Sequence, residues 1–260
     1  MDRSLHRIFC VAKNAFREAV RDRVLYNLIL FMLLIVASAI LLGDLTDGQQ
    51  DRTIVNIGLT AMLFFGTFIA IFVGVGLVSK EIEKRTVFAV FAKPLRRTEF
   101  MVGKYLGLCM TLLVNVLIMG AGVSLALLFA GGSRLALPIW GAIYLIFFEL
   151  AIITAVAILF SSFSSPSLSA LLTFLVFVIG HLSSSLLDLA RSLGSVAANW
   201  FFTAVYYVLP NLAHFSFRTE AANGMIPNTA MFAGATAYAV IYISILLMIA
   251  AAIFSRRNFK

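Results

Sequence analysis

Six long stretches of this chain carry almost no charge. They run over residues 24–43, 54–78, 105–130, 138–160, 168–187 and 230–254, and together they hold one acidic side chain, Glu149, one histidine, His181, and no lysine or arginine. A helix rises 1.5 Å per residue, so about 20 apolar residues cross the ~30 Å hydrocarbon core of a bilayer. Every stretch is long enough. The runs are continuous rather than alternating, which excludes the strands of a membrane β-barrel. A soluble domain would be about 25% charged, whereas this chain is 12% charged and 62% hydrophobic. Disorder is excluded by the same apolar mass. The expected fold is an all-α integral membrane protein, a single unit over 1–260 with six transmembrane helices.

The basic residues orient it, because lysine and arginine collect on the cytoplasmic side of a membrane. Arg3, Arg7, Lys13, Arg17, Arg21 and Arg23 precede the first stretch. Lys80, Lys84, Arg85, Lys93, Arg96, Arg97 and Lys104 lie between the second and third, and Arg256, Arg257 and Lys260 follow the sixth. That is sixteen of twenty; Arg52, Arg134, Arg191 and Arg218 are spread over the other side. Both termini and the 79–104 connection are therefore expected in the cytoplasm, with an even number of spans. Residues 196–212 (VAANWFFTAVYYVLPNL) are apolar but short, and parity makes them an interfacial or re-entrant helix before the sixth span. The basic excess adjoins spans, so it reads as topology and not as a nucleic-acid surface. Cys10 and Cys109 show no sign of pairing.

Residues 1–23 form an amphipathic helix. Leu5, Ile8, Phe9, Ala12, Ala15, Phe16, Ala19 and Val20 follow helical spacing, and Arg7, Lys13, Asn14, Arg17, Glu18 and Arg21 take the other face. Such a helix is expected to lie flat in the cytoplasmic headgroup layer, as an anchor or as a moving element. The connection 79–104 (SKEIEKRTVFAVFAKPLRRTEFMVGK) is more informative. The second span is expected to continue through Glu81 and Glu83. Val87, Phe88, Val90 and Phe91 then make an apolar patch on a short helix that Pro94 stops, since proline lacks the N–H and clashes with the preceding turn. Thr98 is the expected cap of the next helix, with Glu99 at its positive end. An exposed apolar patch rimmed by charge marks a docking surface or a helix resting on headgroups.

This segment resembles the permease subunits of type-2 ABC exporters. The shared pattern is Glu81-x-Glu83, Thr86, an apolar stretch from Val87 to Ala92, Pro94, Arg97, and Gly103-Lys104 at the next span, with Arg85 where many members have glycine. Tyr206-Tyr207-Val208-Leu209-Pro210-Asn211-Leu212 is similar to the branch that includes permeases of copper-enzyme maturation transporters. The resemblance implies two permease copies, expected as a homodimer, forming a path at their interface in the cytoplasmic (inner) membrane. It implies two separate cytosolic ATPase subunits docked on the coupling residues Glu81, Glu83, Thr86, Phe88, Phe91, Pro94, Arg97, Gly103 and Lys104. ATP and Mg would be bound by that partner, with no cofactor in this chain. An accessory protein on the outer side is a further implied partner. The residues agree on one point: the one Gly-Lys pair, Gly103-Lys104, has Thr98 where the first glycine of a G-x-x-x-x-G-K-S/T loop belongs, and Tyr105 follows. No phosphate-cradling loop is present, and the chain is not expected to be an enzyme.

Glu149 stands near the middle of the fourth span, where a charge costs about 2.5–3.5 kcal/mol on insertion scales. It is a candidate for the translocation path or a gate; the alternative is a satisfied interhelical hydrogen bond. His181 precedes Ser183, Ser184 and Ser185, but a Ser–His hydrolase also needs an orienting acid and an oxyanion hole. No metal-spaced Cys/His cluster and no G-x-S-x-G motif occurs. Gly74, Gly76, Gly120 and Gly122 read as close-packing positions. An ATP-independent secondary transporter or channel is the alternative function, against which stand the missing internal repeat and the single mid-span acid. Lys84→Cys and Lys260→Cys are expected to react with an impermeant thiol reagent only from the cytoplasm, and Gly132→Cys and Asn223→Cys only from outside. Labelling of position 260 from outside would overturn the six-span arrangement.

Overall fold

The structure, a computed structural model, describes residues 2–21, 28, 30–35, 37, 49–83, 97–183 and 196–256. Among the described residues every regular element is a helix. In chain order these are α1 (Asp2–Arg21), α2 (Gln50–Glu83), α3 (Arg97–Phe129), α4 (Ile139–Ser161), α5 (Pro166–His181), α6 (Val196–Val208), α7 (Arg218–Ala222) and α8 (Thr229–Arg256). Single 3-10 turns occupy Ser133–Leu135 and Leu212–Phe215. Four helices, α2, α3, α4 and α8, are long and apolar enough to cross a membrane. Residues 30–35 are helical inside the expected first span, whose remainder lies largely outside the described residues.

The centre of the bundle is α4. A helix that is apolar all round must be enclosed, and Leu145, Leu150, Ile152, Ile153, Ala155, Ala157 and Ile158 are all fully buried. Helices α2, α3, α5 and α8 pack around it. Small residues set the closest approaches. A Cβ on Gly66 would sit 2.5 Å from Leu150 Cδ1, and one on Gly120 2.8 Å from Ile143 Cδ1. Gly74 and Gly122 also face neighbouring side chains, Ala157 and Met32, as close-packing glycines should. The outward faces of α3 and α8 stay apolar, through Leu106, Met110, Leu113 and Leu117, and through Val240, Ile241 and Met248.

Turns close where the sequence signals them. At the end of α3, Gly131 takes φ +83°, and Gly132 N–H reaches back to Leu127 O at 2.9 Å, the left-handed termination glycine permits. Between α4 and α5 the Ser-rich turn ties itself down. Ser164 Oγ donates to Phe160 O (2.9 Å) and lies 2.6 Å from Ser169 Oγ, and Pro166 opens α5, where its missing N–H costs nothing.

Four expectations change. The fifth span was expected as one helix over 168–187; α5 ends at His181 with a turn at Leu182, Ser183 is helical again, and 184–187 lie outside the described residues. The 16 residues of α5 span about 24 Å, less than the ~30 Å core. The cause is tertiary: a Cβ on Gly180 would lie 2.7 Å from Pro210 O, so the chain after α6 occupies the space beside the end of α5. Second, the chain that leaves the 196–212 segment is not an exposed loop. After α6 the chain folds into the bundle, and Leu212, Phe215, Ala221 and Ala222 are buried. Third, Arg97 is already helical, so Thr98 lies inside the first turn of α3 rather than capping it. Fourth, α1 does not simply rest on a surface; it packs along the start of α3. Its buried stripe is the small one, Ala12, Ala15 and Ala19, while Leu5 and Phe9 stay exposed. Gly103 and Gly107 make that approach possible: Cβ atoms there would meet Val11 Cβ at 2.7 Å and Ala12 O at 2.5 Å. Overpacking of this kind typically costs about 1–3 kcal/mol. Gly107→Val is therefore expected to lower the melting temperature in detergent and to expose α1 to protease, and an unchanged melting curve would refute the packing.

Candidate functional site

Two groups of polar residues stand out against the apolar bundle. The first lies where α1 meets the start of α3. Ser4 Oγ donates to Glu99 Oε1 at 2.6 Å, and Arg7 Nη1 is 3.8 Å from Glu99 Oε2. Lys104 is 2% exposed, donates from Nζ to Glu18 Oε2 at 3.3 Å and sits 5.7 Å from the Phe100 ring centroid. A buried ammonium needs such a partner, because an unpaired buried charge is costly. Of the coupling residues expected from sequence, Gly103 and Lys104 thus lie beneath α1. Arg97 opens α3, and Glu81 and Glu83 fall in the last turn of α2. Thr86, Phe88, Phe91 and Pro94 lie outside the described residues.

The second group surrounds Glu149. Its side chain is 1% exposed, and Oε1 lies 3.1 Å from Nε2 of His181, the last residue of α5. Nδ1 of the same ring is 3.2 Å from Phe177 O. Nδ1 is thus tied to a backbone oxygen, while Nε2 and Oε1 face each other at ion-pair distance as buried atoms without hydrogen-bond geometry. Arg218, the first residue of α7, acts electrostatically on both Glu149 and His181, and its Nη1 donates to Thr60 Oγ1 of α2 at 3.5 Å. An acid, an imidazole and a guanidinium thus converge from α4, α5 and α7.

Asn211 holds the neighbouring chain in place. Its backbone N–H donates to Tyr238 Oη at 2.9 Å, and its Oδ1 accepts from Ser183 Oγ at 2.6 Å and from Ala213 N–H at 3.2 Å. Its Nδ2 is 3.2 Å from His214 Nε2. Tyr242 Oη donates to Val208 O at 2.9 Å. Ser183 is therefore committed to Asn211, which separates it from any nucleophilic use of His181. Sequence reasoning singled out Glu149 and weighed His181 only as a hydrolase residue. It missed Arg218, counted as one of the scattered outer charges, and it used Asn211 only as part of a motif. The available signal was Pro210-Asn211 closing an apolar helix, since asparagine readily bonds to backbone two residues on.

The ABC-2 family transporter protein family matches residues 9–257. The chain belongs to that family. No match was found among the curated proteins. The permease is thus a multi-pass, membrane-embedded component of an ABC transporter, a part that works with ABC ATPase subunits and is not itself the catalytic one.

Within this permease the Asn211 contacts join α5, the turn 212–215 and α8. Losing the partner of a buried donor or acceptor costs about 1–3 kcal/mol. Asn211→Ala is expected to lower the stability of the purified permease by that amount, read as a fall in melting temperature, with Asn211→Asp less damaging because it keeps the acceptor for Ser183. Equal melting temperatures for the Ala variant and the native chain would show that the hydrogen bonds hold nothing.

Proposed function

We propose that this permease forms the translocation path of an ABC exporter as a homodimer, with both termini in the cytoplasm of the cell and two cytosolic ATPase subunits beneath it. The observation that carries the reading is the family match over 9–257, which brings in an ATPase partner. The shape of two helices supports the place where that partner acts. Helix α2 is 34 residues and α3 is 33, each about 50 Å long against a ~30 Å hydrocarbon core. The excess runs past the expected spans at the end of α2 and the start of α3, where residues 84–96 join them. The connection bearing Phe88 and Phe91 is thus anchored on two rigid stalks, and α1 is clamped to one of them through Lys104 and Glu99. In this reading, force from ATP-driven closure of the ATPase pair enters through Glu81, Glu83, Thr86, Phe88, Phe91, Pro94 and Arg97. It is shared with α1 through Gly103 and Lys104. Glu149 lines or gates the path.

Aromatic anchors at an interface cost about 2 kcal/mol or more when truncated, roughly a thirtyfold loss in affinity. Phe88→Ala/Phe91→Ala is expected to reduce co-purification of the ATPase to that extent while membrane insertion persists. Lys84→Ala, at the rim, should be nearly silent. Full co-purification and full ATP hydrolysis with the double variant would refute docking through this face.

A further inference from the structure

Residues 209–222 pack beside the end of α5 that carries His181. Pro210 O and the Leu212 side chain close over Gly180, one residue before His181. Leu212 and Phe215 are 0% and 1% exposed, and the turn that carries them packs on α4 and α5. Helix α7 packs on α2 and α4 and brings Arg218 within electrostatic reach of both members of the pair. Further polar ties of this segment are hydrogen bonds: Asn211 to Ser183 and to Tyr238, and the Arg218 guanidinium to the Thr60 hydroxyl. Glu149 is sealed and His181 Nε2 is buried against it, while the rest of the His181 side chain is partly exposed.

We infer that residues 209–222 are an outer-side gate, seated and released through Arg218 by the protonation of the Glu149–His181 pair. The sign follows from charge. With no proton to share, a carboxylate beside a neutral imidazole carries −1 and attracts the guanidinium. One proton makes the pair neutral, whichever atom holds it. A second proton gives a carboxylic acid beside an imidazolium, and the pair then repels Arg218. Such changes act strongly because opposite and like charges a few ångströms apart interact far more in a protein interior than in water. Acid on the outer side therefore releases the gate, and alkaline pH seats it.

The groups facing the pair are few. Helix α5 supplies His181 itself and α7 supplies Arg218. Helix α3 supplies Tyr105, whose hydroxyl donates to Ala151 O at 3.4 Å, with Cys109 beside it. Helix α8 supplies Tyr238, and the 212–215 turn supplies His214, both bound to Asn211. Between Thr53 and Gly76, α2 has no charged side chain. Arg218 is the charged side chain that acts on both members of the pair, and Glu220, on the same helix, is exposed. The inference rests on the permease reading and on the proposed orientation, and it adds to them how the site is regulated.

The test uses the permease–ATPase complex in liposomes, in a Cys10→Ser/Cys109→Ala background. Ala222→Cys, 3% exposed in the seated gate, is labelled with an impermeant methanethiosulfonate, and its rate is divided by that of Asn223→Cys, an exposed neighbour, to remove the pH dependence of the thiol. The two protonation steps of the pair must both be bracketed, so the ratio is expected to rise roughly tenfold from about pH 9 to about pH 5. The rise should vanish in Arg218→Gln and in Glu149→Gln/His181→Gln. A flat ratio in the native sequence, or an undiminished rise in the double variant, would overturn the gate. Hydrogen exchange of residues 209–222 at the two pH values, corrected for intrinsic rates, gives the same readout without the introduced cysteine: faster exchange at low pH supports the gate, and equal exchange refutes it. ATPase co-purification is measured alongside. Its loss would count against the permease reading; its persistence with a pH-insensitive segment would count against the gate alone.

Discussion

A carboxyl group buried at the midpoint of an all-apolar helix sets the terms for the half of this bundle where α5 ends. Helix α4 is enclosed by its neighbours, so Glu149 cannot turn toward water or lipid headgroups and must be met by protein. His181 meets it, which requires α5 to bring its last residue to the level of mid-α4. The chain that follows α6 then occupies the space beside the end of α5, with Leu212 and Phe215 as apolar anchors and Arg218 as the third charge. What would otherwise be a connecting loop becomes part of the core. The arrangement is costly in the usual sense, since buried ionisable groups are rarely stabilising compared with apolar packing. In membrane proteins such groups mark function, and here they lie beside the segment 209–222.

The opposite end is built differently. There α1 and α3 come together through small residues, Ala12, Ala15 and Ala19 against Gly103 and Gly107, so the backbones approach closely. Charge pairs on one flank, Glu99 with Arg7 and Lys104 with Glu18, fix the register of one helix on the other. The other flank leaves Leu5 and Phe9 outward, suited to the headgroup layer in which amphipathic helices lie. A displacement of the start of α3 is therefore carried to α1. That links the connection after α2 to the membrane surface as well as to the spans.

The two ends are joined by α4 and its close-packed neighbours. Gly66 against Leu150 lies next to Glu149, and Gly74 against Ala157 lies toward the Ser-rich turn. Close-packed interiors shift between discrete arrangements rather than deforming continuously. A rigid α2 that touches α4 at these points, and Arg218 through Thr60, is a physical route from the stalks to the buried pair.

Much of this was legible without coordinates. Bilayer thickness demands runs of about 20 apolar residues, and that demand is written locally, so α2, α3, α4 and α8 appear where the uncharged stretches lie. The helical period of residues 4–22 was equally local, as were the Pro166 start and the anomaly of Glu149. The rest depended on residues far apart in the chain. Nothing near Leu182 announces that α5 stops there; the stop follows from Pro210 and Asn211 arriving beside Gly180. Arg218 looked like a scattered charge until the fold of 209–222 carried it toward Glu149. The face α1 presents was misjudged for the same reason, because periodicity finds the apolar side but only the glycines of α3 select its small residues for contact. Sequence by itself determined the helices, their apolar character and the one anomalous acid, since these answer to solvent. Only tertiary structure decided what that acid meets, since a buried group's partners are set by long-range packing.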